Sequence, residues 1–150
     1  MKQSAGLLPF RKTANEIQFF LVHPGGPFFA RKDAGWWTIS KGEITENEEP
    51  LNAAVREFEE ETGFSLNGNF IALNPVIQKG GKKVFCWAIE ANPDPDKLIS
   101  NTFEIEWPPR SGKMKTFPEV DKAGWFNYQQ ALTLINQKQT AFLDELLSKV

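Results

Sequence analysis

The stretch Arg56-Glu57-Phe58-Glu59-Glu60-Glu61-Thr62-Gly63 decides how this chain is read, because it crowds glutamates into about two turns of a helix. Pro50 suits the first turn, where a missing N–H costs little, and Gly63 suits the position just past the end, so the sequence predicts a helix over residues 50–62. With successive residues about 100° apart, Leu51, Ala54, Val55 and Phe58 fall on one narrow stripe, and Glu57, Glu60 and Glu61 gather on the arc beside it. Glu57 therefore meets Glu60 and Glu61 at i,i+3 and i,i+4 spacing, where like charges repel, and all three lie toward the end of the helix that its dipole makes unfavourable for anions. An ordinary solvated face mixes signs and lies opposite the core. This arc adjoins the apolar stripe, and only Arg56, placed to pair with Glu60 one turn on, interrupts it. Several carboxylates on one rigid surface become tolerable when they share a hard divalent cation, since Mg²⁺ takes oxygen ligands.

The surrounding chain is that of one globular domain, 1–150. It is 41% hydrophobic, carries thirteen Phe and five Trp, and can build a core without disulfides. The single cysteine, Cys86, lies in the apolar run 84–89 and reads as core. No stretch approaches a membrane span or the apolar part of a signal peptide, so a cytoplasmic location and no membrane partner are expected. A net charge of -2 offers no basic footprint for duplex nucleic acid. Apolar runs and turn residues predict strands over 5–11 and 16–23, a surface loop to residue 35, a short strand over 36–39, strands over 70–78 and 82–90 joined at Gly80-Gly81, and another over 102–107 before Pro108-Pro109. Trp125 and Phe126 close the strand set. From Tyr128 the spacing is helical, in two segments split near Asn136.

Gly42, five residues, Glu48, seven residues and then Arg56-Glu57-Phe58-Glu59-Glu60-Glu61-Thr62-Gly63-Phe64 resembles the Nudix box, G-x5-E-x7-R-E-U-x-E-E-x-G-U with U a bulky aliphatic or aromatic residue, and every fixed position is filled. The resemblance to the Nudix hydrolase superfamily implies an α/β fold, a Nudix-type α/β/α sandwich with a central mixed β-sheet. It also implies a Mg²⁺- or Mn²⁺-dependent enzyme that cleaves a nucleoside diphosphate linked to another moiety. Position by position, Glu57, Glu60 and Glu61 resemble the helix carboxylates that bind metal, Arg56 the arginine that orients them, Glu48 a supporting acid and Gly42 the turn glycine. The backbone carbonyl of Lys41 falls where relatives often take a further ligand. Ser40 departs from the pattern, since proline is common there in relatives.

Pro118-Glu119-Val120-Asp121 followed by Trp125-Phe126 resembles a loop of diadenosine polyphosphate hydrolases in which a glutamate reaches the metals, so Glu119 is read as a ligand and as the proton acceptor, with Asp121, Glu104 and Glu106 as rivals. His23-Pro24 after an apolar strand is similar to the diadenosine polyphosphate and triphosphate-cleaning branches. The expected partner is a small-molecule nucleotide: a dinucleoside polyphosphate or an (oxidised) nucleoside triphosphate ahead of ADP-ribose or another nucleoside-diphosphate sugar. Trp36, Trp37, Phe103 and Trp107 are candidates to stack on its base, and Arg31, Lys32, Lys41, Arg110, Lys113 and Lys115 to meet its phosphates. The rival of a different class is a Nudix-like module that senses a nucleotide without cleaving it. Such modules usually lose box carboxylates, and this chain keeps them all.

Overall fold

Alternation along the first two strands sets the layers. In the computed structural model, which describes residues 2–150, β1 (Gln3–Lys12) sends Ala5 and Leu7 to one face and Leu8 and Phe10 to the other, and β2 (Ile17–Pro24) does the same with Phe20 and Val22 against Phe19 and Leu21. A sheet apolar on both faces has to be covered twice. The helix α1 (Pro50–Thr62) covers the first face with Ala53, Ala54 and Phe58, while α2 (Tyr128–Leu134) and α3 (Thr140–Lys149) cover the second with Ala131, Phe142, Leu143 and Leu146. This is the expected α/β/α sandwich.

The remaining strands are β3 (Ser40–Glu43), β4 (Ile71–Ile77), β5 (Lys83–Glu90), β6 (Thr102–Glu106), β7 (Met114–Pro118) and β8 (Val120–Asn127). The main sheet runs β4-β5-β1-β2-β8, with β1 and β5 parallel and the other pairs antiparallel. Because β5 occupies one edge of β1, the opposite edge is shared: β2 pairs with Phe10, Arg11 and Lys12, and β3 takes Ser4 to Leu7. β2 and β3 fork there, and β3 delivers the chain to α1.

The first two strands, the helix over 50–62 and the strands on either side of Gly80-Gly81 lie where the sequence puts them. The strand expected over 36–39 does not. Thr38 and Trp37 make only isolated bridges, to Val22 and Ile135, and the ladder begins at Ser40. Gly6 permits the close approach there: a β-carbon on it would meet the carbonyl of Ser40 and the side chain of Lys41, its partner in the ladder. β7 was also not foreseen; with β6 it forms a two-stranded hairpin apart from the main sheet. Cys86 is buried as expected. Among the described residues no helix is long and apolar enough to cross a membrane.

Phe58 anchors α1, fully buried with its ring 5.9 Å from that of Phe20. Phe58→Ala is expected to cost about 3–5 kcal/mol, read as a lowered midpoint in chemical denaturation.

Candidate functional site

Arg56 organises the acidic half of α1. Its Nε and Nη2 donate to the two oxygens of Glu48 at 2.8 and 3.0 Å, a bidentate fork. Nη1 donates to Glu57 Oε1 at 2.9 Å and to both oxygens of Glu60 at 3.2 Å, and Nη2 also reaches the carbonyl of Glu43 at 3.2 Å. Glu48 is itself held by the backbone N–H and hydroxyl of Thr45. The pairing with Glu60 read from helical spacing exists, but the shorter bonds go to Glu48, across the loop. The guanidinium holds the Glu48 carboxyl down at about 2.

Glu57 and Glu61 sit deeper. The Glu57 carboxylate lies directly against Gly42, in space that a β-carbon on Gly42 would occupy. Gly42 is thus needed for close approach. Glu61 is only 9% exposed, not on an open arc of the helix; its Oε1 accepts from the Ser40 hydroxyl at 2.8 Å and from the Lys41 backbone N–H at 3.2 Å. Burial, with Glu57 and Glu119 adding to it, pushes the Glu61 carboxyl up to about 8. The Glu57 carboxyl is raised by burial and by Glu60 and Glu119, with Arg56 opposing, and that of Glu119 by burial and by Glu60. Burial, then Lys82, lowers the Lys41 ammonium, with Glu61, Glu57 and Glu43 opposing.

Glu119 joins this group from the junction of β7 and β8. Its backbone N–H donates to Asn101 at 2.9 Å and its carbonyl accepts from Gly25 at 2.8 Å. Among its rivals, Asp121 is engaged by Nδ1 of buried His23 at 2.7 Å, and Glu104 and Glu106 lie exposed on the β6–β7 hairpin.

Among the described residues no three acidic, histidine or cysteine side chains converge on one point. Arg56 engages Glu57 and Glu60, while Ser40 and the Lys41 backbone engage Glu61. The donor set still fits Mg²⁺ or Mn²⁺: hard oxygens only, partly desolvated, each raising the proton affinity of another, as a shared cation would relieve.

A cleft of about 280 Å³ brings Lys41, Glu61 and Glu119 together with Phe29, Trp36, Gln78, Asn136 and Gln139. Trp37, proposed to stack on a base, is instead a core residue at 5% exposure: its ring packs between His23 and Phe126 and its Nε1 donates to Asp33. Trp36, at 42% exposure, takes its place on the cleft. Arg31, Phe103, Trp107 and Arg110 do not line it. Phe103 packs against Phe117 and over Gly26, Trp107 packs against Phe28, and Arg31 and Arg110 are exposed, Arg110 at the hairpin tip. The three carboxamides were missed, and nothing in their local sequence marks them. Ser40, the departure from the family pattern, proves to be a hydrogen-bond donor to Glu61.

A family model described as NUDIX domain matches residues 2–146. No curated protein is a significant match. An Ap4A hydrolase from C. elegans, crystallised as a binary complex, is 20% identical with a TM-score of 0.68, over 97% of this chain and 96% of that one. A mutT/nudix family protein from Listeria innocua is 17% identical with a TM-score of 0.65, over 99% and 92%. The NUDIX domain of Shewanella oneidensis NrtR, crystallised with ADP ribose, is 15% identical with a TM-score of 0.61, over 98% and 86%. At these identities the likeness is one of fold.

Gly42→Ala is expected to displace the Glu57 carboxylate and weaken Mg²⁺ binding about 10- to 100-fold, measured by calorimetry, while the circular dichroism spectrum is retained. Glu61 gives a pH signature. Its folded pKa of about 8 lies above the ordinary 4.5, so between those values the native chain binds a proton that the unfolded chain has released, and stability falls as pH rises through the window. Glu57 and Glu119 act in the same direction. Glu48, held low, contributes stability that is lost only below that window. Thermal unfolding without divalent cation should therefore show a melting temperature that declines toward pH 8, flattened in Glu61→Gln and restored by Mg²⁺ in the parent chain.

Proposed function

The chain belongs to the NUDIX domain family, and we propose that it is a metal-dependent pyrophosphohydrolase of nucleotides, acting on a dinucleoside polyphosphate or an (oxidised) nucleoside triphosphate ahead of ADP-ribose. The observation that carries this reading is the set of mutually repelling carboxylates Glu57, Glu61 and Glu119, each at least partly buried, with the exposed Glu60 beside them, next to a cleft that also holds Lys41 and an exposed indole. A pyrophosphate is anionic, so this surface would reject it unless a cation lay between them.

Glu57, Glu60 and Glu61 hold Mg²⁺ or Mn²⁺, with Glu119 and the Lys41 backbone carbonyl as further ligands. Bound there, the ion supplies charge neutralisation for phosphate oxygens and acidifies the attacking water. Arg56 keeps Glu57 and Glu60 in place, and Glu48 keeps Arg56 in place. Glu119, raised by its surroundings, is suited to accept the proton of the water. The Lys41 ammonium meets the phosphate chain from inside the cleft, and Trp36 offers a plane to a base. The NrtR domain was crystallised with ADP ribose, yet the full carboxylate set here favours cleavage over sensing.

The test is turnover of a nucleotide panel with Mg²⁺, with products identified. Glu60→Gln is expected to lower kcat by about 10²- to 10⁴-fold with the fold intact, and Glu119→Gln to remove the acid limb of the pH–rate profile. Near-normal turnover of Glu60→Gln at saturating Mg²⁺ would sink the reading, and binding without turnover by the parent chain would favour a sensor.

A further inference from the structure

Three carboxamides share the cleft with Trp36, and backbone groups dictate how they point. Gln139 is fully buried, and its Oε1 accepts the backbone N–H of Ile39 at 3.0 Å. A backbone N–H can only donate, so that atom of Gln139 is the oxygen, and its other terminal atom is a donor facing Gln78 at 3.2 Å. Gln78 must therefore turn its own oxygen toward Gln139 and leave its NH₂ free. Asn136 is oriented in the same way, its Oδ1 accepting the backbone N–H of Lys138 at 2.9 Å. Among the described residues neither Gln78 Nε2 nor Asn136 Nδ2 donates to a protein acceptor. A free carboxamide offers a ligand both a donor NH₂ and an acceptor oxygen. These two offer donors.

We propose that this wall of the cleft is a base-selecting site for 6-oxopurines, in which Gln78 and Asn136 donate to the O6 and N7 edge while Trp36 stacks on the ring. Guanine presents two neighbouring acceptors on that edge, adenine presents N7 beside an amino donor, and thymine presents one acceptor beside a methyl group. Two fixed donors match the first and oppose the amino group of the second. A cleft of about 280 Å³ also lies at the small end of ligand sites, which run from about 300 Å³ upward, and suits one nucleoside rather than two. The inference rests on the hydrolase reading above and narrows it to a 6-oxopurine nucleoside triphosphate. Gln139 acts as a positioning residue, setting the orientation of Gln78.

The experiment compares kcat/KM for GTP, ITP and ATP with Mg²⁺. GTP and ITP, which share the O6 and N7 edge, are expected to exceed ATP by about 10- to 100-fold. In Gln139→Glu, assayed across a pH range that ionises the buried carboxyl, the carboxylate still accepts from Ile39 but requires a donor from Gln78, which turns its carbonyl into the cleft. The preference for GTP over ATP should then collapse, an outcome that loss of a merely structural contact would not produce. Gln78→Ala, at a half-buried strand end, should reduce the same ratio toward unity and covers the case in which Gln139→Glu does not fold. Equal use of the three nucleotides, a preference for ATP, or an unchanged ratio in Gln78→Ala overturns the proposal. If none is hydrolysed, equilibrium binding of GTP and ATP with Mg²⁺ separates the two claims. A retained GTP preference keeps the base site and removes the hydrolase, whereas equal binding removes the base site.

Discussion

One guanidinium, Arg56, holds in register an acidic surface that electrostatics alone would splay apart. It joins the loop acid Glu48, the last carbonyl of β3 and the helix carboxylates Glu57 and Glu60. A planar fork with five donors can do this and a lysine ammonium cannot, because the Glu48 contact is bidentate and the remaining donors diverge at set angles. The group is partly exposed, so solvent screens much of its Coulombic contribution. Its importance is geometric: it sets which way the carboxylates face.

Around that hub, the fold uses absent side chains as much as present ones. Gly6 lets β3 close on β1, and Gly42, on β3 itself, lets the Glu57 carboxylate rest against the backbone. The sharing of the β1 edge by β2 and β3 opens the fork through which the loop enters α1. Ser40, at the head of β3, then satisfies the buried Glu61. A short strand thus aligns two separate pieces of the acidic site, and its position depends on a glycine more than thirty residues earlier in the chain.

Much of this was legible in the sequence where periodicity is strong. Residues 50–62 announce a helix by Pro50, Gly63 and the spacing of Phe58, and the strands of the first hairpin announce themselves by apolar alternation on both faces. The run Trp36 to Ile39 misled because adjacent aromatic and branched residues look like a strand, whereas tertiary pairing chose the next four residues. Trp36 and Trp37 show the same limit. Neighbours in sequence, one lines the cleft and the other is core, and no local signal separates them.

By itself the sequence determined the acidic helix, the pattern that goes with it and the two-faced sheet, because each is written in spacing over a few consecutive residues. Only the tertiary structure decided which of the downstream acids the sequence offered, Glu119, lies beside Glu61 on the cleft, that Trp36 and not Trp37 meets it, and that Gln139 turns Gln78. Those are contacts between residues far apart in the chain, and their geometry exists only once β3 has paired with β1 and β8 with β2.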